Sequence, residues 1–267
     1  FTENHYGELV DPVEAQWNSD LLLVDEIVKD LRSCLDGEGR PVFSFSVSYQ
    51  NHGPYEWTYT ANETYLDPET SGFPEEACYV FNNYLHGVNI TISAMTLLAQ
   101  QLEELEEPVV LVFYGDHLPY LGDNQKGYAE LGSEVSIPEN EREDILCSYK
   151  TPYVLWANDA AADTLNWNEA VAALDLPEDG VLSASFLGSV LLDLTGRAGE
   201  SPWFDFLSSL RRIAPVVQKK TYILADGSVL PQRILNEQTD ESSMELKDAV
   251  RKWRCWSYYK LKYADVG

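Results

Sequence analysis

The chain is 267 residues long and 45% hydrophobic with seven tryptophans, enough apolar material for one large domain, or one with a small appendage, and too much for a disordered polymer. Its 44 acidic residues against 18 basic ones leave a formal charge of -26, which repels a nucleic-acid backbone and gives no general attraction to an anionic lipid surface. Cys34, Cys78, Cys147 and Cys255 are scattered without a CxxC pair or a histidine at zinc-finger spacing, so they read as buried thiols, with disulfides open if the domain is exported.

In chain order, Leu22, Leu23, Val24, Ile27, Val28 and Leu31 recur at helical spacing and predict a helix over 19–35, ended by Gly37 and Gly39. Residues 41–49, PVFSFSVSY, alternate apolar and small polar side chains and predict a strand that delivers Gln50-Asn51-His52-Gly53-Pro54-Tyr55 into a loop. Helical periodicity resumes over 75–105 and stops at Pro108. Val109 to Tyr114 is a continuous apolar run, the pattern of a strand buried on both faces of a parallel sheet. Residues 121–144 read as a loop and 151–157, TPYVLWA, as another strand. The alternation of strand, long helix, strand, loop and strand predicts an α/β layered domain.

Beyond Asn158, helices are expected over 183–194 and 202–213. A hairpin is expected where 221–224 and 228–231 flank Asp226-Gly227. A last helix is expected from Ser242, capped by its hydroxyl with Glu245 three residues on, running through Trp253 to Tyr259. No run approaches the roughly 20 apolar residues that span a bilayer, and Phe1-Thr2-Glu3-Asn4 lacks the parts of a signal peptide. The chain is therefore expected to be a soluble segment.

Chemistry concentrates just past two predicted strand ends. Asp116 and His117 place a hard oxygen beside a borderline nitrogen, a donor pair suited to Zn²⁺ or Mn²⁺ and less to Ca²⁺; Gly115 and Pro119 allow the bend that adjacent ligands need. Taken alone, the same residues also read as an ordinary turn. His52 is balanced between a structural and a functional role, with Asn51 and Tyr55 shaping its loop. His86 reads as a packed or solvent-facing helix residue, His5 has no partner in sequence, and the acidic run at 103–107 reads as a solvated helix end. Trp253, Trp256, Tyr258 and Tyr259 read first as core packing of the closing helix and second as a membrane-facing patch.

Tyr114-Gly115-Asp116-His117-Leu118-Pro119 resembles the second metal-binding motif of lipoteichoic acid synthase-like phosphoglycerol transferases, within the sulfatase and alkaline phosphatase superfamily. Residues 50–55 are similar to that family's histidine loop, 151–158 to its following strand, and 258–263 to its closing aromatic segment, so the resemblance spans nearly the whole chain. It implies an alkaline phosphatase-like α/β/α layered sheet with a small C-terminal antiparallel subdomain. Residues 1–180 would form the main part, and 181–267 the C-terminal helices, hairpin and closing helix of the same domain.

The resemblance further implies that Asp116 and His117 ligate a divalent cation, Mn²⁺ in first place with Zn²⁺ or Mg²⁺ as alternatives. His52, assisted by Asn51, would contact the transferred phosphate. The expected substrate is a lipid or glycan bearing phosphoglycerol or sulfate esters, and nucleic acid is not expected. The family's threonine nucleophile and a further acidic ligand are expected upstream, since Trp17-Asn18-Ser19-Asp20 already resembles the stretch beyond the nucleophile and Thr2 is a poor candidate. The chain is thus expected to be the C-terminal part of a catalytic domain held at the cell membrane, on its extracytoplasmic side, by a missing N-terminal region, and inactive alone. At 89–92, NITI stands where relatives place an aspartate. A catalytically degenerate scaffold and a soluble sulfatase or phosphodiesterase are the competing readings.

Overall fold

The computed structural model describes residues 20–35, 41–58, 60, 63–133 and 142–263. Thr2, His5, Trp17 to Ser19, and the glycines at 37 and 39 lie outside them. Among the described residues the chain is a helix-rich α/β protein with two small sheets, and it divides into two compact units.

The first unit draws on Phe1–Glu106 and Pro119–Val135. It contains α1 (Asp20–Leu35) and the long α2 (Glu75–Glu103), which pack together. Val24 and Val28 of α1 are buried, as are Ala94, Leu98 and Leu102 of α2; each large aliphatic side chain so buried contributes about 1.5–3 kcal/mol. Pro74 precedes α2, and Glu75 and Glu76 in its first turn complement the helix dipole. A short 3₁₀ turn (Asp123–Gln125) and α3 (Lys126–Glu130) complete the unit where the sequence predicts loop. Tyr128 is buried there, and its hydroxyl donates to the Pro119 carbonyl at 2.8 Å.

Asn82 organises the approach to α2. It is 1% exposed, and its Oδ1 accepts from the Tyr65 and Leu66 amides at 2.9 and 2.7 Å while Nδ2 donates to the Leu66 carbonyl at 2.8 Å. A buried amide is stable only with its donors and acceptors matched in this way.

The strand expected over 41–49 does not form: no regular element covers it, and Phe43, Phe45, Val47 and Tyr49 are exposed. Alternation gives a segment the side-chain pattern of a strand, but a strand exists only by pairing its backbone with a neighbour, and none pairs with it among the described residues.

The second unit draws on Glu107–Leu118 and Ser136–Gly267. Its first sheet is β1 (Val110–Tyr114) paired with β2 (Tyr153–Ala157), running from Val110 opposite Ala157 to Tyr114 opposite Tyr153. The pair is antiparallel and mostly half-buried, which corrects the expectation of a parallel strand covered on both faces. A continuous apolar run carries no information about direction. Direction is set by the return of the chain through α4 (Arg142–Tyr149), after which Thr151 and Pro152 lie against Gly115.

After β2 come α5 (Asp159–Leu165), α6 (Trp167–Ala173), α7 (Leu187–Leu194) and α8 (Pro202–Ile213). Leu155 of β2 packs on the cluster of Leu174, Val190 and Leu194. Pro202 starts α8 with the fixed φ suited to a first helical position, and Arg211 and Arg212 close it. A second sheet orders β3 (Val216–Val217), β4 (Thr221–Ile223) and β5 (Val229–Pro231) as an antiparallel meander, with the expected Asp226-Gly227 turn between the last two and Gly227 at φ +81°. Among the described residues these two small sheets are found in place of the extended α/β/α sheet expected.

The chain then forms α9 (Gln232–Glu237) and α10 (Glu241–Tyr263). The cap of α10 is Asp240, whose carboxylate accepts from the Ser243 amide at 2.9 Å, two residues before the expected Ser242 box. The main core joins Phe186, Leu207, Leu210, Tyr222, Leu235, Leu246 and Val250. Trp253 packs against Phe186 and Trp256 against Trp203, while Tyr258 and Tyr259 are exposed, so the aromatic segment is only half core. Among the described residues no helix is long and apolar enough to cross a membrane. All four cysteines are free thiols, and only Cys78 is buried.

Candidate functional site

Two of the expected site residues meet at the end of β1. Asn158 anchors the opposite end of the β1–β2 pair: it is fully buried, its Oδ1 accepts from the Ala161 and Val109 amides at 2.9 Å each, and its Nδ2 donates to the Glu107 carbonyl at 2.9 Å. It therefore caps α5 and clamps the entry of β1 together. At the site end, the Gly115 amide donates to the Pro152 carbonyl at 3.1 Å and the Thr151 hydroxyl donates to the Gly115 carbonyl at 2.7 Å. A Cβ on Gly115 would lie 3.2 Å from that of Thr151. A side chain here would have to push Thr151 back by a few tenths of an ångström, so what favours glycine is this close approach and not a positive φ.

From this clamped end the chain turns outward. The Asp116 Oδ1 accepts from the His117 amide at 2.9 Å, and the His117 Nδ1 lies 2.8 Å from the Leu118 carbonyl. A carbonyl can only accept, so Nδ1 carries the proton, and the neutral ring then holds its lone pair on Nε2. That Nε2 is 3.6 Å from Asp116 Oδ2. Two acceptors facing one another repel unless a cation or a second imidazole proton lies between them. Ligands about 2.1 Å from a tetrahedral ion stand ~3.4 Å apart, so the pair has the bite of two metal donors. The Nδ1 contact to a backbone carbonyl is the usual outer support of a metal-bound imidazole. Both side chains are solvent-accessible, 79% for Asp116 and 64% for His117. The residues fit a divalent cation as two of its ligands; among the described residues no third histidine, cysteine or acidic residue joins them.

His52 and Asn51 lie in the other unit, in a loop fixed from several sides. The Asp20 amide donates to Gln50 Oε1 at 2.8 Å and the Gln50 amide returns a bond to Asp20 Oδ1 at 3.3 Å. Thr91 of α2 donates its hydroxyl to Asp20 Oδ2 at 3.2 Å. The Tyr55 hydroxyl donates to the Asn51 carbonyl at 2.9 Å, and the Gly53–Pro54 bond is cis. The Asn51 side chain fills the space beside Gly87 where any Cβ would overlap its amide. His52 itself is exposed, stacks on Tyr49 at 4.9 Å, and donates from Nδ1 to the Gly53 carbonyl at 2.7 Å. With Nδ1 so used, its Nε2 donates to a ligand only as the imidazolium.

The sequence singles out Asp116, His117 and His52 but not the residues that hold them in place. Asn158 had a readable signal, an asparagine immediately before Asp-Ala-Ala-Ala, which is a helix N-cap pattern. The Asp20–Gln50 exchange had none, because it joins residues 30 apart. His86 is half-buried in α2, with Nδ1 unpartnered among the described residues, consistent with packing.

Residues 3–196 match the model of the sulfatase family, and the chain belongs to that family, within the alkaline phosphatase superfamily. Among curated proteins it is similar to a putative cyclic beta-1,2-glucan modification protein of Rhizobium meliloti (strain 1021), with 27% identity over 141 residues. That alignment covers 52% of this chain and 21% of the relative, so the chain spans only about a fifth of that protein's length. No solved structure matches the chain.

Proposed function

We propose that this sulfatase-family chain belongs to a divalent-cation-dependent enzyme that transfers or hydrolyses phosphoglycerol-type esters on a cell-envelope glycan or lipid, at the outer side of the cell membrane. The observation that carries the reading is the 3.6 Å approach of Asp116 Oδ2 and His117 Nε2. The glycan class is supported by the similarity to a putative cyclic beta-1,2-glucan modification protein, and the ester chemistry by the family.

In this reading Asp116 and His117 hold Mn²⁺, with Zn²⁺ or Mg²⁺ as alternatives. The bound cation supplies Lewis-acid polarisation of the ester oxygens. The residues of the chain hold and orient. Leu118 fixes the His117 tautomer, and the Asn158 and Thr151 clamps fix the two ends of β1 and so the direction in which the pair faces. His52 would donate from Nε2 to a phosphate oxygen as charge redistributes, its Nδ1 proton being committed to the Gly53 carbonyl. Asn51 and Tyr55 keep its loop in place. A hydroxyl nucleophile and further oxygen ligands must complete the site.

Calorimetric titration with Mn²⁺ and Zn²⁺ tests the metal assignment directly. Saturable binding of one ion per chain that is lost in both Asp116→Ala and His117→Gln is expected. Equal binding by both variants would overturn the assignment. Release of glycerol phosphate from a substituted glucan by the intact protein, compared with its sulfate release from an aryl sulfate, then separates phosphoglycerol from sulfatase chemistry.

A further inference from the structure

Although the chain carries a charge of -26, its basic residues are unevenly spread. Between Lys247 and Lys262 there are six basic residues, Lys247, Arg251, Lys252, Arg254, Lys260 and Lys262, against the single acid Asp248. Lys247, Arg251, Arg254 and Tyr258 follow one another at spacings of four, three and four, which puts them on one stripe of α10. All four line a groove of about 520 Å³ whose other walls include Tyr222 and Gln232. A second groove shares Tyr222, Val250 and Arg254 and adds Lys219.

The cations of this groove are only partly neutralised from within. Asp248 is bonded to both Arg251, at 2.6 Å, and Lys252, at 2.7 Å. Lys247 donates to the Asn236 and Gln238 carbonyls at the end of α9, which orders its ammonium without cancelling its charge. Arg254 is exposed, and with the Gln232 amide turned so that its nitrogen donates to the Lys219 carbonyl at 3.2 Å, Gln232 accepts from the guanidinium. Among the described residues neither Lys247 nor Arg254 forms a salt bridge, and Lys247 meets the Asp240 carboxylate only through space. The Lys262 ammonium stands 5.4 Å from the Tyr258 ring centroid and adds charge at that ring.

We propose that this groove of the second unit is a binding site, separate from the Asp116–His117 pair, for a phosphate or sulfate ester carried on a sugar or polyol. A planar guanidinium offers paired N–H donors that match an oxyanion, with Lys247 and Arg251 adding charge along the same stripe. Exposed tyrosine faces suit the C–H faces of a sugar ring, and the volume falls in the usual range of small-molecule sites, about 300–1,000 Å³. The stripe would hold a growing or incoming anionic polymer by its substituents, which deepens the proposed function but stands on the groove alone.

The test is calorimetry on the chain in EDTA, with glucose 6-phosphate and glycerol 1-phosphate as probes, and with glucose, inorganic phosphate and phosphatidylglycerol vesicles as comparisons. Saturable binding of the two organic phosphates is expected, with glucose silent and inorganic phosphate weaker. The binding weakens with added salt and falls at least about tenfold in Arg254→Gln. Lys252→Gln, outside the groove, and Asp116→Ala should bind like the parent, so failure of the metal assignment leaves this result intact. No saturable binding of either probe, unchanged binding by folded Arg254→Gln, inorganic phosphate binding as tightly as the sugar phosphate, or binding to vesicles alone would each overturn it.

Discussion

Replacing Asn158 by alanine removes the one side chain that joins the entry of β1, the exit of β2 and the start of α5. The α5 N-cap is lost, and the amide of Val109 and the carbonyl of Glu107 lose their partners. Loss of an N-cap costs about 1 kcal/mol. Val109 is half-buried, so its orphaned N–H carries much of the usual 1–3 kcal/mol penalty, whereas Glu107 is exposed and its carbonyl is rehydrated at ~0.5 kcal/mol. Together these predict a loss of about 3 kcal/mol. Asn158→Asp keeps both acceptor contacts and adds a favourable charge at the α5 N-terminus but sets an oxygen against the Glu107 carbonyl, so it should cost about half as much. Urea unfolding followed by circular dichroism gives the free energies, and amide exchange at Val109 and Ala161 localises them. An alanine variant within ~0.5 kcal/mol of the parent, or an aspartate variant no better than alanine, refutes the clamp.

Arg211 is 1% exposed and its Nη2 donates to Asp193 and to the Leu174 carbonyl, both at 3.0 Å, so Arg211→Ala should destabilise by about 3–5 kcal/mol in urea unfolding, and Arg211→Met with Asp193→Leu should recover most of that loss. Gly87→Ala displaces the Asn51 amide; because alanine gains up to about 1 kcal/mol of helix propensity, stability should stay within ~1 kcal/mol of the parent while turnover of the phosphate ester by the intact protein falls, read by paired melting and activity assays. Burial pushes the hydroxyls of Tyr55, Tyr84 and Tyr128 above the ordinary tyrosine range, that of Tyr128 to about 12. Raised folded values mean that their contribution is complete below about pH 10 and is lost as pH rises through the folded values, so urea midpoints should drop between about pH 10 and 12, less steeply in Tyr55→Phe and Tyr128→Phe.

Legibility of the site followed the range of its interactions. Asp116 and His117 could be singled out because the bend, the donor pair and the apolar run before them are contiguous. Their 3.6 Å bite depends on a ring orientation set by the adjacent Leu118 carbonyl, which is still local. The supports could not be singled out as a set: Asn158 reaches back 49 residues to Val109, Thr151 reaches 36 to Gly115, and the α10 stripe becomes a groove only when β4 and α9 close over it.

The sequence by itself determined five of the ten α-helices among the described residues, α1, α2, α7, α8 and α10, because an amphipathic period of 3.6 is a property of a single segment; the short α3 formed where loop was expected. It also determined the Asp226-Gly227 turn, since the positive φ falls on the glycine. Only the tertiary structure decided the sheets. Residues 41–49 have a strand pattern without a strand, and β1 has the composition of a buried parallel strand but lies antiparallel to β2. The reason is that a helix closes its hydrogen bonds within itself, whereas a strand borrows them from a partner whose presence and direction no local pattern encodes.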